Sequence, residues 1–239
     1  MKPGRTFKKK WLDVNGSNDS ISLEDWVNEL EPDVSEDLLL QMDIEGAEYR
    51  NLLNTPEYIL KRFRIIVIEL HQLGVCKSSG EFNKELGPLL ELLDNHFICV
   101  HAHPNNCCGD FILPGSNLNI PNVHELTFLR RDRWEGVSDN DCHPPLLPNP
   151  LDIDANVKKK PPLFLNEYWL DSGVRSPEST MKILSAQVAY YSYALKQEKT
   201  NPDSLPKLVF ELQSLAQHIA ALLPEVRPRP SSHELVHLA

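Results

Sequence analysis

The chain of 239 residues carries 34 acidic against 24 basic side chains, a formal net charge of −10. That balance disfavours nonspecific nucleic-acid binding, which needs a positive surface to displace counterions. With 41% hydrophobic and 24% charged residues and no apolar run near the roughly 20 residues that cross a bilayer, the composition is that of a globular, non-membrane chain.

No apolar stretch follows Lys2 and Lys8–Lys10 as a secretory signal would require, so a cytoplasmic protein is expected. Five cysteines, an odd number with no C-x-x-C pair, argue against a disulfide framework or a closed zinc site. Reduced thiols and no metal are the expectation.

Residues 1–18 are polar, with Phe7 and Trp11 as expected anchors. Ser22 followed by Asp25 resembles a capping box, and Leu23, Trp26, Val27 and Leu30 predict a short amphipathic helix ended by Pro32. Leu38–Met42 reads as a strand buried on both faces, breaking into Asp43, Glu45 and Gly46. A helix is expected over 46–54, restarted at Thr55-Pro56-Glu57 with threonine capping and proline in the first turn. Arg64–His71 holds four consecutive β-branched residues and predicts a central parallel strand. Phe82, Leu86, Leu89, Leu90 and Leu93 recur at helical spacing, across Gly87-Pro88.

Phe97–Val100 predicts a third strand ending at His101, and Val123–Leu129 a fourth. A long loop is expected between them, carrying His103-Pro104-Asn105-Asn106 and the turn residues Pro114-Gly115. Residues 136–170 read as an irregular proline-rich connector docked by Phe164, Leu165, Tyr168 and Trp169. Two apolar patterns within 171–226, joined by Thr200-Asn201-Pro202-Asp203, predict a helical hairpin, and 227–239 a disordered tail.

In a parallel α/β sheet, functional side chains gather at the carboxyl ends of the strands. Asp43 and Glu45 follow the first strand, Glu69 and His71 end the second, His101 ends the third, and Asn105 and Asn106 lie just beyond. An antiparallel last strand would begin on the same rim with His124 and Glu125. A carboxylate beside an imidazole suits proton abstraction near neutral pH, and asparagine offers donors and acceptors to a hydroxylated ligand. Acids such as Glu45 and Glu48 also suit the first turn of a helix simply by complementing its dipole.

The ordered set Ile21–Trp26, Asp43-Ile44-Glu45-Gly46-Ala47-Glu48, Val67–His71, His103–Asn106 and Pro121–Thr127 resembles the FkbM-type S-adenosylmethionine-dependent methyltransferases over about residues 20–134. The resemblance implies a Rossmann-like class I methyltransferase sheet within residues 1–135. It implies O-methyl transfer to a hydroxyl of a sugar or small metabolite, so a small-molecule or glycan substrate. It makes His71, Glu69 and Asp43 the catalytic group, Asp43 and Glu45 cofactor-binding, and His103, Asn105, Asn106 and Glu125 substrate-binding.

No G-x-G element of the kind that holds S-adenosylmethionine precedes Asp43, so the expected sheet is partial, with Leu38–Met42 as an open edge. Two alternatives follow. One is a non-catalytic remnant that binds a partner or a second copy through that edge and the helical hairpin. The other is a metal enzyme using Asp43, Glu45, Glu69, His71 and His101.

Overall fold

The computed structural model describes residues 6–30, 36–134, 148–149, 152, 155–166 and 169, with helical positions at 180, 182–185, 187–189 and 192. The chain divides into two units, Met1–Ser179 and Thr180–Ala239. In the second, the helical positions fall in the first arm of the expected hairpin; its second arm and the tail lie outside the described residues.

The first unit is a mixed α/β structure. Two short strands, β1 (Trp11–Leu12) and β2 (Ser20–Ile21), pair in parallel. The Ser22 hydroxyl then accepts the Asp25 N–H at 3.0 Å and donates to the Asp25 carboxylate at 2.8 Å, opening helix α1 (Leu23–Leu30). The expected cap is therefore present, with the acid returned to the hydroxyl rather than to the backbone. Phe7 and Trp11 are not anchors, being 77% and 79% exposed.

Strand β3 (Leu38–Met42), helices α2 (Glu48–Leu53) and α3 (Glu57–Leu60), strand β4 (Phe63–Leu70), helices α4 (Ser79–Phe82) and α5 (Leu86–His96), and strands β5 (Phe97–Ile112) and β6 (Asn119–Arg130) follow. The main sheet has the order β3-β4-β6-β5. β3 and β4 run parallel, and β6 is inserted antiparallel to both β4 and β5. β4 is central, as its apolar, β-branched sequence predicts.

One face of this sheet is the core. Leu40, Met42, Ile66, Ile68, Leu70, Leu126 and Phe128 join Tyr49, Leu52, Ile59, Leu60, Leu89 and Leu93 from the helices in a single buried cluster. Each such side chain contributes about 1.5–3 kcal/mol by leaving water. The opposite face is less covered. Leu39 on β3 is 62% exposed and Gln41 is exposed too, so β3 is buried on one face rather than two.

Three further expectations change. Helix α2 starts at Glu48, because Glu45 and Gly46 take the left-handed region at φ +58° and +99° and form a tight turn instead. Thr55 does not cap α3; its hydroxyl donates back to Asn51 O at 2.7 Å, and Pro56 stands before the helix in extended conformation. Lastly, β5 does not stop at His101. It continues to Ile112, and only residues 113–118, with Gly115 at φ +78°, form the turn into β6.

The long strand was hidden by its interruptions. Its pairing shifts between Cys99 and His101, and again between Asn105 and Asp110, where Gly109 adopts φ +71°. Bulges of this kind break the alternation by which a strand is recognised.

At the other end of the sheet, Arg130 donates to the Lys61 carbonyl and to Asp37 at 2.7 Å, and Arg133 donates to Asp37 at 2.9 and 3.1 Å. These bonds tie the entrance of β3 to the exit of β6. The two guanidiniums hold the Asp37 carboxyl down at about 2, well below its ordinary 3.8.

Candidate functional site

The turns that follow β3 and β4 meet at the carboxyl end of the sheet. A Cβ on Gly46 would stand 2.8 Å from Gln72 Nε2, so the glycine permits both the left-handed turn and this close approach. Gln72 itself has φ +57°. Between the two turns sits His71.

Glu48, in the first turn of α2, is fully buried. Its Oε1 accepts the Ile44 N–H at 2.9 Å and lies 3.1 Å from His71 Nδ1. With Nδ1–H donating to the carboxylate, the imidazole is held in one tautomer and its Nε2 turns outward. That nitrogen lies 3.5 Å from Glu45 Oε2 and 3.9 Å from Asp43 Oδ1, both on exposed side chains. The Tyr49 hydroxyl donates to the His71 carbonyl at 2.5 Å, fixing the backbone beneath the ring. Within the described residues, Asp43, Glu48 and His71 form a group whose nearest ligand atoms all lie within 4.8 Å of one another.

Glu69 stands beside this group. Burial and the neighbouring Asp43 charge raise its carboxyl above the ordinary range, against a lowering hydrogen bond from Asn105. Asn105 Nδ2 donates to Glu69 Oε1 at 2.8 Å and lies 3.4 Å from Glu125 Oε1. Glu69 and Glu125 are cross-strand partners on β4 and β6, and His103 faces Glu125 from β5. The row continues outward: Asn156 donates to Glu125 at 2.6 Å, and its Oδ1 lies 3.1 Å from His103 Nε2. His101 lies 2.9 Å from Asp152.

The structure thus gathers Asp43, Glu45, His71 and Glu69 into one rim group and joins it through Asn105 to a second group, Glu125, His103 and His101. It gives two other expected residues different places. Asn106 is buried and clasps the connector, donating to the carbonyls of Val157, Lys160 and Pro161 at 3.0–3.1 Å and accepting the Val157 N–H at 2.8 Å. His124 points to the other side of β6, where its ring meets Trp169 edge-on at 5.0 Å. Burial pushes its imidazole down to about 3.

Sequence reading missed the roles of Glu48, Asn156 and Asp152. Glu48 had a signal, a third acid in the motif that begins at Asp43, yet its helical position made dipole complementarity sufficient. Asn156 and Asp152 lie in the connector, where no periodicity marks which residue turns inward.

A cleft of about 790 Å³ opens beside the rim, lined by Trp11, Asp13 and Ser20 on one side and by Asp43, Glu45 and Arg50 on the other. No protein-family model, curated protein or solved structure matches this chain.

Proposed function

We propose that this chain carries the acceptor-activating wall of an S-adenosylmethionine-dependent O-methyltransferase of FkbM type, acting on a hydroxyl of a sugar or other small metabolite. The observation that supports this reading is the His71–Glu48 pair. A buried carboxylate fixes the imidazole, and the outward Nε2 is left to take a proton. A substrate hydroxyl placed on Nε2 gives up its proton there as its oxygen attacks, and Glu48 stabilises the imidazolium that results. Glu69, raised by burial and joined to Asn105, is the neighbouring acid that orients the same hydroxylated ligand.

The groups along the cleft fit the methionine end of the cofactor only in part. Asp43 and Glu45 suit a cationic group beside them, whereas no glycine-rich turn for the nucleoside stands among the described residues. The chemistry assigned to this chain is therefore confined to the acceptor, and the cofactor's part is to supply the methyl group.

Titration calorimetry of the full chain with S-adenosylmethionine tests the reading. Because the nucleoside half is lacking among the described residues, only weak binding in the millimolar range is expected, reduced further in Asp43→Asn while circular dichroism stays unchanged; micromolar binding would overturn the partial cofactor site. Absence of binding at millimolar cofactor withdraws the proposal.

A second reading, a partner-binding module without activity, is favoured by β3 lying at the edge of the sheet among the described residues, with Leu39 exposed on it. Concentration-dependent self-association in sedimentation, lost in Leu39→Lys, supports that reading instead.

A further inference from the structure

We propose that Cys107 and Cys108 are a redox-active vicinal dithiol that closes into a disulfide ring by exchange with a small-molecule disulfide such as oxidised glutathione. Both are free thiols, Cys108 exposed and Cys107 half-buried. Their Sγ atoms lie 2.6 Å apart, inside the contact distance of unbonded sulfurs and longer than the roughly 2.05 Å of a bond.

The backbone around them is not held by strand pairing. Pairing passes from Asn105 opposite Val123 to Asp110 opposite Pro121, so the two cysteines sit in the bulge and outside the strand ladder. Side chains hold this stretch in place of the ladder. The Cys107 N–H donates to Asn105 Oδ1 at 2.9 Å, Lys160 Nζ donates to the Cys107 carbonyl, and Asn122 Nδ2 donates to the Cys108 carbonyl at 2.9 Å. Next to the pair, Gly109 supplies a left-handed pivot with no atom within 4 Å of where a Cβ would stand.

The exchange balances. The Cys108 thiolate attacks one sulfur of the external disulfide, forming a mixed disulfide and releasing one small thiolate, which takes up the proton. Cys107 sulfur then attacks Cys108 Sγ, displacing the second small thiol. Two protein S–H groups become one S–S bond, and the external disulfide is reduced to two thiols. Exposure assigns the first attack to Cys108, and the half-buried Cys107 beside it resolves the mixed disulfide; burial and the neighbouring thiol raise the Cys107 thiol, which makes this second step the slow one.

Adjacent Cα atoms are about 3.8 Å apart across a trans peptide, shorter than the span of ordinary disulfides, so the ring is strained and easily reduced. Strained, accessible disulfides are the labile ones. The pair is thus suited to reversible sensing rather than to bracing the fold.

The test uses the full chain, reduced, equilibrated in glutathione buffers of rising oxidised fraction, quenched by alkylation and read by intact and peptide mass. The expected product lacks two hydrogens on the peptide holding both cysteines, resists alkylation there and is restored by dithiothreitol. Cys107→Ser, checked for folding by circular dichroism, is expected to trap glutathione on Cys108. A wild-type chain that keeps glutathione on Cys108 beside a free Cys107 overturns the proposal. So does one that leaves both thiols alkylated, or that bridges either to Cys76, Cys99 or Cys142.

Discussion

Asn106 shows how one buried side chain governs a segment fifty residues away. All of its amide's hydrogen-bonding atoms are used on the connector, three carbonyls and one N–H. Replacing it with alanine leaves those backbone groups without their partner, which costs roughly 1–3 kcal/mol when such groups stay buried. Asn106→Ala is expected to lower the unfolding free energy by that amount, read as a lower denaturant midpoint, and to speed tryptic cleavage after Lys158 and Lys159. An unchanged midpoint with unchanged cleavage would show that the clasp does not hold the segment. The same residue marks where sequence reasoning stopped. His103-Pro104-Asn105-Asn106 was visible as a polar motif, but neighbours in sequence face different partners here. Asn105 reaches Glu69 while Asn106 turns to the connector, and the bulge that separates them leaves no mark in composition.

Strand β3 carries a lesson at the scale of the element. Its apolar sequence predicted a buried strand, and the strand is there, but apolar character could not say how many faces are covered. Leu39 and Leu40 are neighbours of identical type with opposite surroundings. Leu40→Ala is expected to destabilise the protein by about 2–5 kcal/mol, as for other core truncations. Leu39→Lys is expected to stay within about 0.5 kcal/mol of wild type. Equal losses from both changes in urea unfolding would show that the outer face is covered in solution. The other strand that sequence could not delimit is β5, whose two register shifts conceal a continuous 16-residue element. What was legible was the set of carboxyl-end acids and histidines on β3 and β4, because parallel strands deliver their last residues to one rim. What was not legible was the buried partner of His71, which depends on where α2 begins.

For the molecule as a whole, two groups contribute to the acid limit of stability, in windows that overlap only at their lower and upper ends. Asp37 is held at about 2 by Arg133 and Arg130, below its ordinary 3.8. Its stabilising contribution is present above the ordinary value and lost as pH falls through the folded one. His124 must stay neutral in its buried place, held at about 3 against an ordinary 6.5. Stability therefore falls with pH from 6.5 toward 3 as the unfolded chain, and not the folded one, takes up the proton. Urea midpoints measured across pH should show both slopes. His124→Phe is expected to flatten the upper window and Asp37→Asn the lower one. A profile unchanged by either variant would remove that group from the balance.

The hairpin of β5 and β6 has a consequence for the order in which the sheet assembles. These strands are consecutive, and only residues 113–118 separate them. Their closure spans a short loop, whereas joining β4 to β6 must gather everything between Leu70 and Asn119. Loop-closure entropy places the local pair ahead of the distant one. β6 then offers its second edge as a template on which β4 docks, while β3 joins β4 across the shorter span between Met42 and Phe63. The rim exists only when β3, β4 and β6 have all been brought together. His71 meets Asp43 only once the outermost strand is in place, so any event that frays β3 dismantles the reactive group while the hairpin persists.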